Sequence, residues 1–255
     1  MLFRSVLAHG NHPSIVSWGI GNEMRGQEEN TKQFLTAVRD TFRALDPDRL
    51  VNYVSNSWWS RPATDAVRLG DSMWINEYFG TWIQGRDLRK DMDALIEAEP
   101  DLPIVISEFG VCEPVFPGGD EARIKNLVEK MALYRTYPQI GATIHFSLND
   151  YRTQMGEEGE GKLRRRVHGS TDIYGKTKPS YAVLQKESAP VTVEETEGQL
   201  TVTCRDDLPC HAVIGYYIKT AEGKTCIPDL LPGRTVTLPI SGGYTIHRPN
   251  GDLIL

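Results

Sequence analysis

The amino-acid sequence predicts an α/β domain over residues 1–189, followed by a small all-β domain over residues 190–255. Up to Pro190, short apolar runs alternate with amphipathic helical segments, which is the pattern of parallel βαβ units. The apolar runs are continuous, as in sheets that are covered on both faces. After Pro190, β-branched and aromatic segments alternate with turns rich in Gly, Pro and Asp, and this texture is typical of antiparallel sheets.

The elements of the first domain follow from apolar runs and from helical periodicity. Five strands are predicted, at residues 15–20, 50–54, 73–75, 103–106 and 142–146. Helices are predicted at residues 31–45 and 86–98, from Asp120 as the cap to Tyr134, and near residues 180–187, and residues 2–7 read like the middle of another helix. Five such strands fit either an open doubly wound sheet or part of a (β/α)8 barrel.

The second domain is predicted from four segments, at residues 191–193, 200–203, 212–217 and 235–238. At about 65 residues it is shorter than an immunoglobulin-type domain of roughly 100. We expect a small, sandwich-like all-β module. Cys204 and Cys210 flank a turn and could form a disulfide, although two buried thiols are the simpler expectation.

Composition excludes several classes of function. The chain has 255 residues, a net charge of −6, 40% hydrophobic and 24% charged residues, which is ordinary for a globular protein. Neither predicted domain is basic, so no nucleic-acid partner is expected. No apolar run approaches the roughly 18–20 residues of a membrane span, so no membrane partner is expected either. The four cysteines form no Cys-x-x-Cys pair, and no metal site is predicted.

Acidic residues follow four of the five predicted strands: Glu23, Glu77, Glu108 and Asp150. The carboxyl ends of parallel strands share one rim, where such folds build their sites. Acids are also common in loops, so one of them alone would indicate nothing. A rim with two opposed carboxylates suits glycoside hydrolysis, in which one carboxyl donates a proton while the other attacks the sugar or activates water.

Two segments carry a specific resemblance. Residues 12–23, His-Pro-Ser-Ile-Val-Ser-Trp-Gly-Ile-Gly-Asn-Glu, are similar to the acid/base segment of glycoside hydrolase family 2, and residues 104–110, Ile-Val-Ile-Ser-Glu-Phe-Gly, are similar to its nucleophile segment. That family includes β-galactosidases, β-glucuronidases and β-mannosidases. Residues 76–80, 149–151 and 168–181 also resemble it. The resemblance covers about residues 5–188 and implies strands four to eight of a TIM barrel.

The resemblance implies a retaining exo-β-glycosidase and a role for each site residue. Glu23 would be the general acid/base and Glu108 the nucleophile. Asn22 would hydrogen-bond the sugar 2-hydroxyl, and Tyr78 would hold Glu108 ionised by donating a hydrogen bond. This chemistry needs no cofactor. The partner would be a β-glycoside substrate.

Two further residues are expected near the substrate. Trp82, in the loop after the third strand, could stack on a sugar ring, as could Trp58 or Trp59, or each could pack as part of a lid. Asp150 could contact substrate hydroxyls or cap the loop that follows it.

The sequence also departs from the family pattern. The first three barrel strands are absent from the chain, so the first and last strands would be exposed edges, and we expect either a homo-oligomer or an additional N-terminal segment to cover them. The Asn-x-Lys pair with which family glucuronidases recognise the substrate carboxylate is missing. Residues 161–168 are instead basic, and either an arginine there binds a carboxylate or the run is a solvated surface.

These departures leave alternatives open. The chain could be a non-catalytic fragment that needs its missing half or only binds carbohydrate. It could also be an unrelated doubly wound protein, in which Glu23 and Glu108 would lie much farther apart than the roughly 6 Å of a retaining pair. Neither the sugar nor the cellular compartment follows from the sequence.

Overall fold

The computed structural model describes residues 2–112, 117–153, 165–207 and 209–255. Five α-helices span Leu2–His9 (α1), Glu29–Leu45 (α2), Leu88–Ala98 (α3), Gly119–Tyr134 (α4) and Pro179–Ser188 (α5). The first five strands span Ser17–Asn22 (β1), Leu50–Ser55 (β2), Met73–Asn76 (β3), Ile104–Phe109 (β4) and Ile140–His145 (β5). The others span Tyr151–Arg152 (β6), Arg165–Arg166 (β7), Val191–Thr196 (β8), Gln199–Cys204 (β9), Tyr217–Thr220 (β10), Gly223–Cys226 (β11), Thr235–Pro239 (β12) and Tyr244–His247 (β13).

The first five strands form one parallel sheet in the order β1-β2-β3-β4-β5. Each strand therefore pairs with its neighbour in sequence. A doubly wound sheet reverses its strand order at a switch point, whereas a barrel adds strands consecutively in one direction. The consecutive order is that of part of a (β/α)8 barrel, and the doubly wound alternative is wrong.

Every strand and helix predicted in the first domain is present, with shifted ends. The first strand was predicted to begin at Ile15 but begins at Ser17, because Arg49 Nε donates a hydrogen bond to the Ile15 carbonyl and takes the place of a strand partner. Asp120 was predicted to cap α4, and this is wrong, since Gly118 is the N-cap. The Asp120 carboxylate instead accepts hydrogen bonds from the backbone and hydroxyl of Ser180 at the start of α5.

Contacts between residues divide the chain into two compact units. The first comprises Met1–Cys112 with Gln139–Ser147 and contains the parallel sheet and α1 to α3. The second comprises Glu113–Pro138 with Leu148–Leu255 and contains α4, α5 and the antiparallel strands. These units are defined by contacts and not by sequence domains, so the boundary between residues 189 and 190 stays a prediction.

The core of the first unit contains an amphipathic face of α2. Leu35, Val38 and Phe42 are buried, as their helical spacing predicts, whereas Phe34 and Leu45 at the margins of the face are exposed. At the end of α2, buried Asp46 accepts a hydrogen bond from Trp18 of β1 at 2.9 Å. This contact fixes the helix against the first strand of the sheet.

The antiparallel strands of the second unit form two three-stranded sheets, β12-β9-β8 and β11-β10-β13. Leu200 and Val202 of the first sheet and Ile218 and Ile246 of the second belong to one buried cluster. An all-β region after Pro190 is therefore present, and a sandwich-like packing of its sheets stays a prediction. Cys204 and Cys210 are not bonded to each other.

Candidate active site

The carboxyl ends of β1, β3 and β4 bring the predicted catalytic residues together on the rim of the parallel sheet. Asn22 ends β1 and Glu23 follows it, Asn76 ends β3 and precedes Tyr78, and Glu108 lies near the end of β4. All of these residues belong to the first unit. Glu23 and Asn22 are exposed, Glu108 is half-buried, and Tyr78 is buried beside it. The rim therefore exposes Glu23 to solvent, whereas Glu108 is partly covered.

The backbone of the sheet becomes irregular where these side chains leave it. The pairing register shifts between Gly19 and Asn22 on β1, and again between Ile75 and Asn76 on β3. Glu23 has a φ of 51°, in the left-handed region that residues other than glycine rarely adopt. Its amide is held by the Val54 carbonyl at 2.9 Å. Such irregularities redirect a side chain away from its normal position in a strand, here towards the rim.

Gly110 keeps the end of β4 close to the chain that follows β5. Its φ of 153° is in the region that favours glycine, and a side chain there would collide with the Phe146 carbonyl oxygen. The Phe146 amide also donates a hydrogen bond to the Phe109 carbonyl at 2.9 Å. The glycine after the Glu-Phe pair is therefore required by the close approach of two backbones.

Glu108 accepts a hydrogen bond from the Tyr78 hydroxyl, with 2.7 Å between the oxygen atoms. Burial raises the pKa of the Glu108 carboxyl above its usual range, and the nearby Glu23 carboxylate raises it further. The hydrogen bond from Tyr78, and another from the Asn76 side chain, act in the opposite direction and lower that pKa. Tyr78 thus favours the ionised form of Glu108, as the resemblance implies.

Asn76 connects the two glutamates. Its Nδ2 donates hydrogen bonds to Glu23 Oε1 at 2.8 Å and to Asn22 Oδ1 at 3.3 Å, while its Oδ1 accepts one from the Ser107 hydroxyl at 2.8 Å. The side chain of Asn76 is fully buried. Sequence reasoning missed Asn76 and Ser107 as site residues, although both lie next to glutamates in the motifs that were recognised.

Glu77 does not join the other acids on the rim. Its side chain is fully buried, and its Oε1 accepts a hydrogen bond from the Phe79 amide at 2.7 Å. The expectation that all four acids at strand ends contribute to one site is therefore wrong for Glu77. The register shift before Asn76 turns Tyr78 instead towards Glu108.

The tryptophans of the rim loops separate into buried and accessible ones. Trp58 is fully buried and donates a hydrogen bond to the Asn76 carbonyl at 3.2 Å, so it helps to fix the backbone at the end of β3. Trp59 is half-buried and has the Arg86 guanidinium 4.5 Å from the centre of its ring. Trp82 is 44% exposed, which is compatible with its predicted role of stacking on a sugar ring.

Asp150 belongs to the second unit. Its carboxylate is bound by Lys178 Nζ at 2.8 and 2.9 Å, and it also accepts a hydrogen bond from the Gly169 amide at 2.8 Å. These contacts are compatible with the predicted role of Asp150 in holding its loop, and its predicted contact with substrate hydroxyls stays a prediction. The basic residues 161–164 lie outside the described residues. Among the described residues, no group of three or more His, Cys, Asp or Glu is placed to hold a metal ion.

No helix in the described part of the chain is long and apolar enough to cross a membrane.

The chain is similar to known proteins in sequence and in structure. Residues 2–137 match the model of the TIM barrel domain of glycosyl hydrolases family 2. The chain is 30% identical over 108 residues to a β-glucuronidase of Streptococcus agalactiae, covering 39% of this chain and 18% of that protein. It is 24% identical over 255 residues to a β-galactosidase of Kluyveromyces lactis, covering 94% of this chain and 23% of that one.

Solved structures show the same fold. A family 2 β-galacturonidase of Eisenbergiella tayi superimposes with a TM-score of 0.63 at 21% identity, over 73% of this chain and 35% of that one. An FMN-binding β-glucuronidase of Faecalibacterium prausnitzii superimposes with a TM-score of 0.62 at 18% identity, over 96% of this chain and 41% of that one. The chain spans about a fifth of the length of the Streptococcus agalactiae β-glucuronidase and of the Kluyveromyces lactis β-galactosidase.

A parallel sheet wound in consecutive order, with glutamates at its carboxyl rim, defines part of a (β/α)8 barrel. The match of the family model covers more than half of the chain. The chain belongs to glycosyl hydrolase family 2.

Proposed function

We propose that this chain supplies both catalytic carboxylates of a retaining exo-β-glycosidase. The observation that carries the proposal is the connection of Glu23 and Glu108 through one buried amide, that of Asn76. Both carboxylates lie at the open rim of the parallel sheet, and each has a neighbour that orients it. Retaining glycosidases need two carboxylates about 5–5.5 Å apart, and a shared hydrogen-bond partner is compatible with that separation.

In the first step, a Glu108 oxygen attacks the anomeric carbon while Glu23 gives its proton to the glycosidic oxygen. The bond to the leaving group breaks, and a covalent glycosyl-enzyme forms on Glu108. In the second step, Glu23 removes a proton from water, and that water attacks the anomeric carbon and releases Glu108 as a carboxylate. Two inversions give net retention of configuration.

Each glutamate has neighbours that assist its role. Glu108 must be ionised to attack; burial leaves its pKa raised, and the hydrogen bonds from Tyr78 and Asn76 limit that increase. Glu23 lies on the exposed side, where a leaving group or water can approach. Asn22, next to it, would bind the 2-hydroxyl group, a contact that strengthens in an oxocarbenium-like transition state.

The substrate class is a terminal β-glycoside. The relatives named above act on glucuronides, galactosides and galacturonides, according to their names. The Asn-x-Lys pair expected of glucuronidases is missing from the sequence, which favours a sugar without a carboxylate unless an arginine of residues 161–168 replaces that pair.

The proposal is tested with the protein as its gene encodes it, assayed on aryl β-galactoside, β-glucuronide, β-mannoside and β-glucoside. We expect turnover of one of these sugars, lost by at least about 10³-fold in Glu108→Gln. Glu97→Gln is the control, because Glu97 is exposed on α3, away from the rim, and it should keep wild-type activity. Activity of Glu108→Gln above a tenth of wild type would refute the role of Glu108. Binding of sugar without turnover would indicate the non-catalytic alternative.

A further inference from the structure

Asn76 is placed between three strands at the centre of the rim. It ends β3, its Nδ2 bonds to two residues at the end of β1, and its Oδ1 bonds to Ser107 of β4. A buried amide normally satisfies its hydrogen-bonding groups within one structural network. Here that network contains the acid/base glutamate of the proposed function.

The orientation of the Asn76 amide is determined by its neighbours. Glu23 Oε1 and Asn22 Oδ1 are both acceptor oxygens, so they require the Nδ2 donor on their side. If the amide were flipped, its oxygen would face two other oxygens, which repel it. The Ser107 hydroxyl donates to Asn76 Oδ1, so the amide oxygen is also paired in the orientation that the two acceptors require.

This orientation determines which oxygen of Glu23 carries the catalytic proton. A carboxyl oxygen that bears a proton is a poor acceptor, so the bond from Asn76 to Oε1 directs the proton to Oε2. The backbone of Glu23 adopts a left-handed conformation, which persists only where the surroundings hold it. The hydrogen bond from Asn76 therefore orients a side chain whose backbone conformation is strained.

The same amide fixes Asn22. Because Asn22 Oδ1 accepts a hydrogen bond from Asn76, the Nδ2 donor of Asn22 is the group that remains for a sugar hydroxyl oxygen. One buried side chain thus orders both the proton donor and the neighbouring sugar contact.

We propose that Asn76 is a positioning residue, which aligns Glu23 for proton transfer to the glycosidic oxygen, and that Ser107 fixes its amide. This inference rests on the proposed glycosidase function and deepens it. Asn76 acts through the two glutamates, because its side chain hydrogen-bonds Glu108 as well as Glu23. Removing it should impair the steps that need acid or base help much more than the attack by ionised Glu108 on a substrate that needs no such help.

The test compares substrates of the sugar that the wild-type protein hydrolyses, with leaving groups of different basicity. For Asn76→Ala, we expect kcat/KM to fall by about 10²-fold on a 4-methoxyphenyl glycoside, since protonation assists that leaving group. On a 2,4-dinitrophenyl glycoside, which leaves without a proton, the fall should stay below about fivefold when both assays are run above the acidic limb, where Glu108 is ionised without the Asn76 hydrogen bond. Sodium azide, which attacks the glycosyl-enzyme without a base, should restore kcat on the dinitrophenyl substrate.

Matched variants separate this role from a structural one. Asn52→Ala removes another buried amide of the same sheet, whose Nδ2 donates to Ser17 at the opposite end of the strands, and should show no dependence on the leaving group. Ser107→Ala should show the same dependence of the kcat/KM loss on the leaving group as Asn76→Ala, but with a smaller loss. If Asn76→Ala does not fold, Ser107→Ala alone tests the inference. Equal losses on all leaving groups, or no loss, would overturn the inference. An inactive wild-type protein would instead refute the proposed function.

Discussion

The five-stranded parallel sheet and the antiparallel sheets of residues 191–247 pair their strands in different ways. In the parallel sheet, three of the four described pairings contain a register shift, and Asn22, Asn76 and Phe109 are each the first paired residue after one. In the antiparallel sheets, the four described pairings run without a shift. One shift in each of these three pairings lies towards the carboxyl rim, where the backbone redirects Glu23 and Tyr78, and a further shift lies at the start of β4, between Ile104 and Val105.

Their buried side chains differ as well. The rim of the parallel sheet buries the polar side chains of Asn76 and Ser107, which are hydrogen-bonded to each other. The buried cluster of the antiparallel sheets consists of apolar side chains with Tyr216 and Cys204. Because buried polar groups cost free energy unless they are paired, their concentration at one rim indicates that this rim is retained for its chemistry.

The largest expected effect is on the rim. Glu23→Ala should lower kcat/KM by about 10³-fold on a glycoside with a poor leaving group, because general acid catalysis contributes that much. Azide should form a β-glycosyl azide with this variant and raise its turnover of a dinitrophenyl glycoside. The product is identified by nuclear magnetic resonance. Formation of the α-azide would contradict retention.

A change in the antiparallel core should affect stability instead. Leu200→Ala removes a fully buried side chain and should lower the free energy of unfolding by about 3 kcal/mol. Leu231→Ala is the matched control, because Leu231 is exposed, and should change it by less than about 0.5 kcal/mol. Urea denaturation measures both. A lower kcat/KM of Leu200→Ala at a temperature where the variant stays folded would contradict the assignment of stability to the antiparallel core and of catalysis to the rim.

Tyr78→Phe should change activity moderately and in a pH-dependent way. The hydrogen bond from Tyr78 lowers the pKa of Glu108, so its removal should raise that pKa and decrease the ionised fraction on the acidic side. The acidic limb of the kcat/KM profile should move to higher pH, with a loss of about tenfold on that limb. Tyr174→Phe, at an exposed tyrosine, should leave the profile unchanged. An unshifted limb would show that Tyr78 does not control the ionisation of Glu108.

The smallest expected effect is an increase in stability, in Glu108→Gln, whereas Leu200→Ala should decrease stability. Since the folded state raises the pKa of Glu108, the wild-type protein loses stability as pH rises from the usual carboxyl pKa through the raised one. Glu108→Gln cannot ionise, so it should be more stable than wild type above that window and equally stable in acid. Thermal unfolding across pH tests this. A destabilised Glu108→Gln at neutral pH would contradict the cost assigned to the buried carboxylate.

Much of the first unit could be predicted from sequence. Periodicity located its strands and helices, and the motifs around Glu23 and Glu108 located the site. The roles of Asn76 and Ser107 could not be predicted, because they depend on the register between three strands that pair far apart in sequence. Glu77 was misjudged for the same reason, since the register shift at β3 decides which of its neighbours faces the rim.

The covalent bond between Glu108 and the sugar can be observed directly. The glycosyl-enzyme is trapped with a 2,4-dinitrophenyl 2-deoxy-2-fluoro-β-glycoside of the hydrolysed sugar, and the adduct is located by peptide mass spectrometry. We expect one fluoroglycosyl group per chain, attached to Glu108. An adduct on another residue would contradict the role of Glu108 as nucleophile. Steady turnover of the unfluorinated glycoside without any trapped adduct would contradict that role as well.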